Sequence, residues 1–181
     1  MSQQQFDDPK LLRTSANQSL IPGMILSAAA AQDHATQPLR LTPVVSCFLM
    51  RFDQNEPLLL IVQRSQRVGS YHGRWAAISG FIEEGVTPEE QAYTEIREET
   101  NLQRDQVRLL RRGAVVEYED ASIGRHWVIH PFLFEVVTPD TIHTDWEAQQ
   151  MRWIHPSELQ NYETVPLLAE AYASASNGEK V

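Results

Sequence analysis

Residues 80–102 read GFIEEGVTPEEQAYTEIREETNL, and this stretch says more about fold and function than any other part of the chain. Thr87 is a residue type that caps helix N-termini, and Pro88 follows it at the first helical position. Glu90 comes three residues after the cap, which completes a capping box. These local signals predict a helix over about residues 88–100.

Three carboxylates share one side of this predicted helix. Glu95, Glu98 and Glu99 stand at positions i, i+3 and i+4, which lie on one helix face. Like charges at this spacing repel each other by about 0.2–0.5 kcal/mol per pair, but a hard divalent cation that bridges the oxygens makes the arrangement favourable. Ala92 and Ile96 supply the apolar stripe, so the carboxylates should lie beside the core. The pattern predicts a metal site, and a solvated acidic helix is the alternative.

A glycine-bearing loop leads into the helix. Gly80 and Gly85 permit backbone conformations that other residues avoid, so the loop can turn backbone groups toward a ligand. Together, the loop and the carboxylates could hold Mg²⁺ ions that bridge a diphosphate and activate a water for attack on phosphorus.

The remaining pattern indicates an α+β fold, an α/β/α sandwich with a mixed central β-sheet between helices. We expect an N-terminal extension over residues 1–39, a domain over residues 40–175 and a flexible tail over residues 176–181. Strands are predicted at 44–52, 58–63, 75–78, 107–117, 127–137 and 151–154, and further helical segments at 157–162 and 165–173.

Composition excludes several classes of partner. The chain has 181 residues and a net charge of −9, which argues against binding to nucleic acid because that needs a basic surface. The longest apolar run near the N-terminus is too short to span a bilayer, so we expect no membrane partner. The lone Cys47 fits a reducing compartment, which predicts a cytoplasmic protein. The N-terminal extension is compatible with a homodimer.

The stretch from Gly80 to Leu102 resembles the Nudix box, G-x5-E-x7-R-E-U-x-E-E-x-G-U, where U is aliphatic. Six positions match the pattern without gaps: Gly80, Glu95, Ile96, Glu98, Glu99 and Leu102. The resemblance extends over about residues 40–172. It implies hydrolysis of a nucleoside diphosphate linked to another group, with Glu95, Glu98 and Glu99 as ligands of Mg²⁺, or alternatively Mn²⁺.

Three positions depart from the box. Val86 stands in place of a glutamate, Thr94 in place of an arginine and Asn101 in place of a glycine. In the family, that glutamate and arginine are thought to bridge loop and helix. Losing both avoids stranding one buried charge, so Val86 and Thr94 could form an apolar substitute that orients the carboxylates by packing. Asn101 tolerates the left-handed conformation expected after a helix.

A narrower likeness rests on residues 75–80, 123–132 and 144–147. These segments resemble the Nudix domain found fused, in some proteins, to an initiation-factor-2B-like sugar-phosphate isomerase domain. This likeness raises the expectation of a sugar-phosphate or nucleotide-sugar substrate.

Other candidate residues lie outside the box. Many Nudix enzymes place a further acid before the final strand, and Glu147 matches that position, so we expect it to join Glu98 and Glu99 in catalysis. Arg64, Arg67 and Arg74 could contact phosphates through paired hydrogen bonds, beside Gly80. For each of these residues, a surface charge or a purely structural role is the alternative.

The function expected from the sequence is Mg²⁺-dependent hydrolysis of a diphosphate linkage in a small phosphorylated substrate. The alternative is a non-catalytic Nudix-fold module that binds a nucleotide or sugar phosphate as a sensor. Val86 and Thr94 favour the second interpretation, whereas the complete glutamate trio favours the first.

Overall fold

The structure, a computed structural model, describes residues 38–139, 142–143 and 146–181. The predicted extension over residues 1–39 therefore lies almost entirely outside the described residues. Short 3₁₀ turns occur at Arg104–Gln106 and Pro156–Asn161. The strands and helices are β1 (Arg40–Asp53), β2 (Glu56–Arg64), β3 (Trp75–Ala76), β4 (Ile78–Phe81), α1 (Pro88–Thr100), β5 (Val107–Arg112), β6 (Val116–Asp120), β7 (Arg125–Val136), β8 (Ala148–Ile154), α2 (Leu168–Ser176) and β9 (Glu179–Lys180).

The strands form one mixed sheet in the order β3-β2-β1-β7-β5-β9. β1 and β7 run parallel, in register from Arg40 opposite Arg125 to Met50 opposite Glu135. The other named pairs are antiparallel, and they include β4 on β1, β6 on β7 and β8 on β2. Because β4 pairs with the centre of β1, it delivers the glycine loop to the middle of the sheet.

The central strand β1 is buried on both faces, and alternate residues enter two different cores. Cys47 and Leu49 pack in the cluster that contains Ile96 of α1. Phe48 and Met50 pack in the cluster that holds the buried residues of α2. The sheet thus lies between helices, which confirms the predicted α/β/α sandwich.

The carboxylate helix α1 begins and ends where the sequence predicts. The Thr87 hydroxyl oxygen accepts a hydrogen bond from the Glu90 N–H at 3.3 Å, and the Glu90 carboxylate accepts one from the Thr87 N–H at 3.2 Å. This capping box fixes the first turn. Asn101 stops the helix in the left-handed conformation, with φ of 60°.

One prediction about the end of the sheet was wrong. The strand expected over residues 107–117 is divided: the backbone N–H of Gly113 donates to the Pro131 carbonyl at 2.9 Å, and the chain starts again as β6. Flexibility of the tail over residues 176–181 stays a prediction, and this segment contains β9, which pairs with Arg111 and Arg112 of β5. An open strand edge offers unpaired backbone groups to any segment that can reach it.

Candidate active site

The three carboxylates of α1 have different surroundings. Glu99 is buried, and its Oε1 accepts a hydrogen bond from the backbone N–H of Ser79 on β4 at 3.0 Å. Glu98 is exposed and lies 3.1 Å from the guanidinium of its neighbour Arg97. Glu95 lies between these extremes, half-buried. The trio thus runs from the sheet surface out to solvent.

Gly80 makes room for Glu95. A Cβ at position 80 would overlap the carboxyl group of Glu95, so only glycine leaves that carboxylate its place. We expected Gly80 among the substrate-binding residues. In the structure it leaves space for the Glu95 carboxylate and lines a cleft.

A cleft of about 610 Å³ lies beside the trio. The predicted residues Arg64, Arg67, Gly80 and Glu147 line it together with Glu95 and Glu98. Residues 147 and 95 are far apart in the sequence, so the fold has brought the loop acid and the box together.

Arg74 does not line this cleft, and its role in substrate binding stays a prediction. Its guanidinium lies 3.2 Å from Glu163 and donates to the Thr164 carbonyl at 3.0 Å. The backbone N–H of Trp75 also pairs with the carbonyl of Glu163 at 2.9 Å. Arg74 therefore anchors the segment that precedes α2 instead of lining the cleft.

Negative charges are concentrated around Glu95. Burial raises the pKa of its carboxyl group above the ordinary value, and the charges of Glu98, Glu147 and Glu83 raise that pKa further. A hydrogen bond from Gln91 opposes the shift. Glu95 therefore sits in a negative field, which a cation would relieve.

Arg64 is placed against the same carboxylates. Burial lowers the pKa of its guanidinium, while the charges of Glu99 and Glu147 act in the opposite direction. Its Nε donates to the Ser70 carbonyl at 3.1 Å, which holds the side chain in the wall of the cleft. Arg64 thus offers a fixed positive charge close to the carboxylates.

Aromatic rings form another part of the cleft wall. The rings of Phe81 and Trp127 are stacked, with centroids 6.3 Å apart and an angle of 19° between their planes. The guanidinium of Arg125 lies 5.8 Å from the Trp127 ring, and Phe81 is 58% exposed. Tyr71 accepts a hydrogen bond from Nε1 of Trp127 at 3.0 Å. This surface can stack a planar ring.

The donor set fits a hard divalent cation by chemistry. Mg²⁺ prefers carboxylate and water oxygens, and Glu95, Glu98, Glu99 and Glu147 supply only oxygens. Within the described residues, no group of three or more His, Cys, Asp or Glu side chains is already gathered closely enough to hold a metal. The carboxylates would thus have to draw together around the ion.

Sequence reasoning missed Gln91 and Glu83. Gln91 is buried in the first half of α1 and reaches Glu95, and Glu83 adds its charge from the loop. The spacing of Gln91 from Glu95, four residues, was an available signal, since such pairs are neighbours on a helix. No comparable signal pointed to Glu83.

Residues 40–175 match the model of the NUDIX domain. The chain belongs to the Nudix family. Because the Nudix chain keeps its carboxylate trio beside a cleft, we assign it as a Nudix-type pyrophosphohydrolase. A member of the Nudix family can therefore carry Val86 and Thr94 at these two positions of the box.

Solved structures share the Nudix fold at low sequence identity. An Ap4A hydrolase of C. elegans in a binary complex superposes with a TM-score of 0.64 at 17% identity, over 75% of this chain and 95% of that one. RenU, a Nudix hydrolase of M. smegmatis, gives 0.62 at 17% identity, over 73% and 81%. The NUDIX domain of Shewanella oneidensis NrtR, complexed with ADP ribose, gives 0.58 at 16% identity, over 74% and 87%.

Hydrophobic helices of membrane-spanning length are absent from the described part of the chain.

Proposed function

We propose that the protein hydrolyses a diphosphate linkage in a nucleoside diphosphate derivative, with Mg²⁺ as the metal and Mn²⁺ as an alternative. The single observation that carries the proposal is the convergence of Glu147 with Glu95 and Glu98 on one cleft. Burial and the neighbouring negative charges raise the pKa of Glu95, so the protein alone holds this arrangement at an electrostatic cost.

Four carboxylates have roles in the proposed reaction. Glu95, Glu98 and Glu99 would hold the metal, which when bound neutralises the diphosphate and makes a water more acidic. A carboxylate among Glu98, Glu99 and Glu147 takes the proton of the attacking water. The oxygen of that water forms a bond to phosphorus as the bridging P–O bond breaks, and the leaving phosphate carries away the bonding electrons.

Positive and aromatic side chains support a nucleotide as the substrate. Arg64 and Arg67 line the same cleft and can donate paired hydrogen bonds to phosphate oxygens. The stacked rings of Phe81, which is exposed, and Trp127, which is partly buried, offer a stacking surface for a base. The ADP ribose bound to the NrtR domain and the likeness at residues 75–80 favour a nucleotide-sugar among such substrates.

Glu98→Gln is the decisive substitution for this proposal. With Mg²⁺ present, wild-type protein should hydrolyse at least one compound in a panel of nucleoside diphosphate sugars, dinucleoside polyphosphates and nucleoside triphosphates. The variant should lose roughly 100- to 10,000-fold in kcat, because it lacks a carboxylate that ligates or takes protons. Phosphate or nucleotide release, followed by chromatography, measures the effect.

Glu170→Gln serves as the control, since Glu170 is an exposed residue of α2 and does not line the cleft. Its turnover should equal that of the wild type. Hydrolysis that persists in Glu98→Gln at the wild-type rate would contradict the proposed role of the trio.

A non-catalytic binding module is the second candidate, and the replaced residues Val86 and Thr94 favour it. In that case calorimetry would detect tight binding of a compound from the same panel, with no product formed. A cytoplasmic location and a homodimer stay predictions from the sequence.

A further inference from the structure

Gln91 joins the glycine loop to the carboxylate helix. The residue is only 3% exposed. Its Oε1 accepts a hydrogen bond from the backbone N–H of Glu83 in the loop at 3.3 Å, and its Nε2 donates to Oε1 of Glu95 at 2.8 Å. One side chain therefore contacts both the loop and a carboxylate of the trio.

The partners determine the direction of the amide group. A backbone N–H can only donate, so the carbonyl oxygen of Gln91 must face Glu83. The NH₂ group then faces Glu95, whose ionised carboxylate can only accept. If the amide were reversed, its NH₂ group would face the N–H of Glu83, and its carbonyl oxygen would face the Glu95 carboxylate. Because Gln91 is buried, it holds the Glu95 carboxylate in one direction.

Gly80 lies against the same carboxylate. The space that a Cβ at position 80 would need is filled by the carboxyl group of Glu95. The Glu95 carboxylate thus lies against the backbone of β4 and accepts from the amide of Gln91, and these contacts favour one orientation of it.

The link that the box pattern provides through an ion pair is made differently in this chain. Val86 and Thr94 cannot form the pair, and the Thr94 hydroxyl donates to the Glu90 carbonyl on its own helix at 3.1 Å. The apolar substitute that Val86 and Thr94 could form stays a prediction, and a hydrogen-bonded connection between loop and helix runs through Gln91.

We propose that Gln91 is a positioning residue that takes over the role of the missing ion pair by orienting Glu95 toward a divalent cation. The inference rests on the proposed function, because it requires Glu95 to be a metal ligand. It adds a residue that the box pattern does not specify, buried in the wall of the cleft.

The affinity for Mn²⁺ alone tests this proposal without any substrate. Free Mn²⁺ is measured by electron paramagnetic resonance during titration of the full chain. Gln91→Met keeps the length of the side chain but offers no amide to Glu95. We expect this variant to bind Mn²⁺ about 10- to 100-fold more weakly, the effect typical of losing a group that orients a metal ligand.

Gln106→Met is the matched control. The Gln106 amide also accepts from a backbone N–H, that of Gln103 at 2.8 Å, and donates to a side-chain oxygen, that of Thr138 at 3.0 Å. Gln106 does not line the cleft. The same substitution there removes similar bonds and should leave Mn²⁺ affinity unchanged.

Rescue distinguishes positioning of Glu95 from general support of the loop. Adding Val86→Glu and Thr94→Arg to Gln91→Met restores the residue types of the box pattern, and Mn²⁺ affinity should return to within a few-fold of the wild type. Affinity that stays low in the triple variant would overturn the claim that Gln91 replaces the pair.

Circular dichroism and thermal unfolding establish that each variant is folded, and Gln91→Ala replaces Gln91→Met if the latter does not fold. A folded Gln91 variant that binds Mn²⁺ as the wild type does would overturn the inference and leave the proposed function standing. An equal loss of affinity in Gln106→Met would also overturn it. A wild-type chain that binds no Mn²⁺ would instead overturn the proposed metal-dependent function.

Discussion

Gly80 and Glu95 share one small space, and their relation explains why the box begins with glycine. The backbone of Gly80 does not have a positive φ, so an alanine is not excluded by backbone strain. The obstacle is the carboxyl group of Glu95, which occupies the place of the missing Cβ. At this residue, glycine is required by a neighbouring side chain.

Gly80→Ala should consequently impair metal binding more than folding. The carboxyl group of Glu95 lies at the end of a flexible side chain and can move aside. This movement leaves the backbone unchanged but displaces the proposed metal ligand. We expect about 10- to 100-fold weaker Mn²⁺ binding with near-normal thermal unfolding. Gly69→Ala, where a new Cβ meets nothing within 4 Å, is the control. Equal affinities in the two variants would contradict this steric account.

At the scale of single elements, α1 is bounded by signals that act within a few residues. The capping box at Thr87 satisfies backbone groups of the first turn. Asn101 ends the helix with φ of 60°, and its N–H donates to the Arg97 carbonyl at 2.9 Å. The box pattern has glycine here, and asparagine meets the same requirement because it tolerates the left-handed region.

Substitutions at position 101 should follow this backbone requirement. Asn101→Ala is expected to lower the free energy of unfolding by about 1–2 kcal/mol, the cost of a left-handed conformation for an ordinary residue. Asn101→Gly should match or slightly exceed the wild type. Urea unfolding measures both, and Asn161→Ala, at a position without positive φ, provides the comparison. A large loss in Asn101→Gly would refute the argument.

At the scale of the whole molecule, the sheet collects acidic side chains from three separate segments. The loop after β4 brings Glu83, α1 brings the trio, and the segment before β8 brings Glu147. Their mutual repulsion destabilises the folded state, because these charges are farther apart in the unfolded chain. A cation that binds only the folded protein would offset this repulsion.

Mg²⁺ should therefore stabilise the folded molecule. At a free concentration of about 100 times the dissociation constant, the expected gain is about 2.7 kcal/mol in the free energy of unfolding. Thermal unfolding with Mg²⁺, and again after EDTA is added in excess, measures it. The double variant Glu95→Gln/Glu98→Gln should gain little, and an equal gain there would place the stabilising ion elsewhere.

Much of α1 could be predicted from the sequence, because capping, apolar spacing and the proline position are local properties. The glutamate spacing gave the trio its common face for the same reason. The split between β5 and β6 could not be predicted, since it depends on the pairing of Gly113 with Pro131 of a later strand. The strand β9 likewise depends on an edge that only the folded sheet presents.

The sequence by itself determined which residues can serve as ligands and how α1 presents them, because helix geometry is set by neighbours a few positions apart. Tertiary structure decided which distant residues join them. It brought Glu147 to the cleft, turned Arg74 away toward Glu163 and placed Gln91 between the loop and Glu95. These contacts depend on strand order and on the depth of burial, which no local spacing specifies.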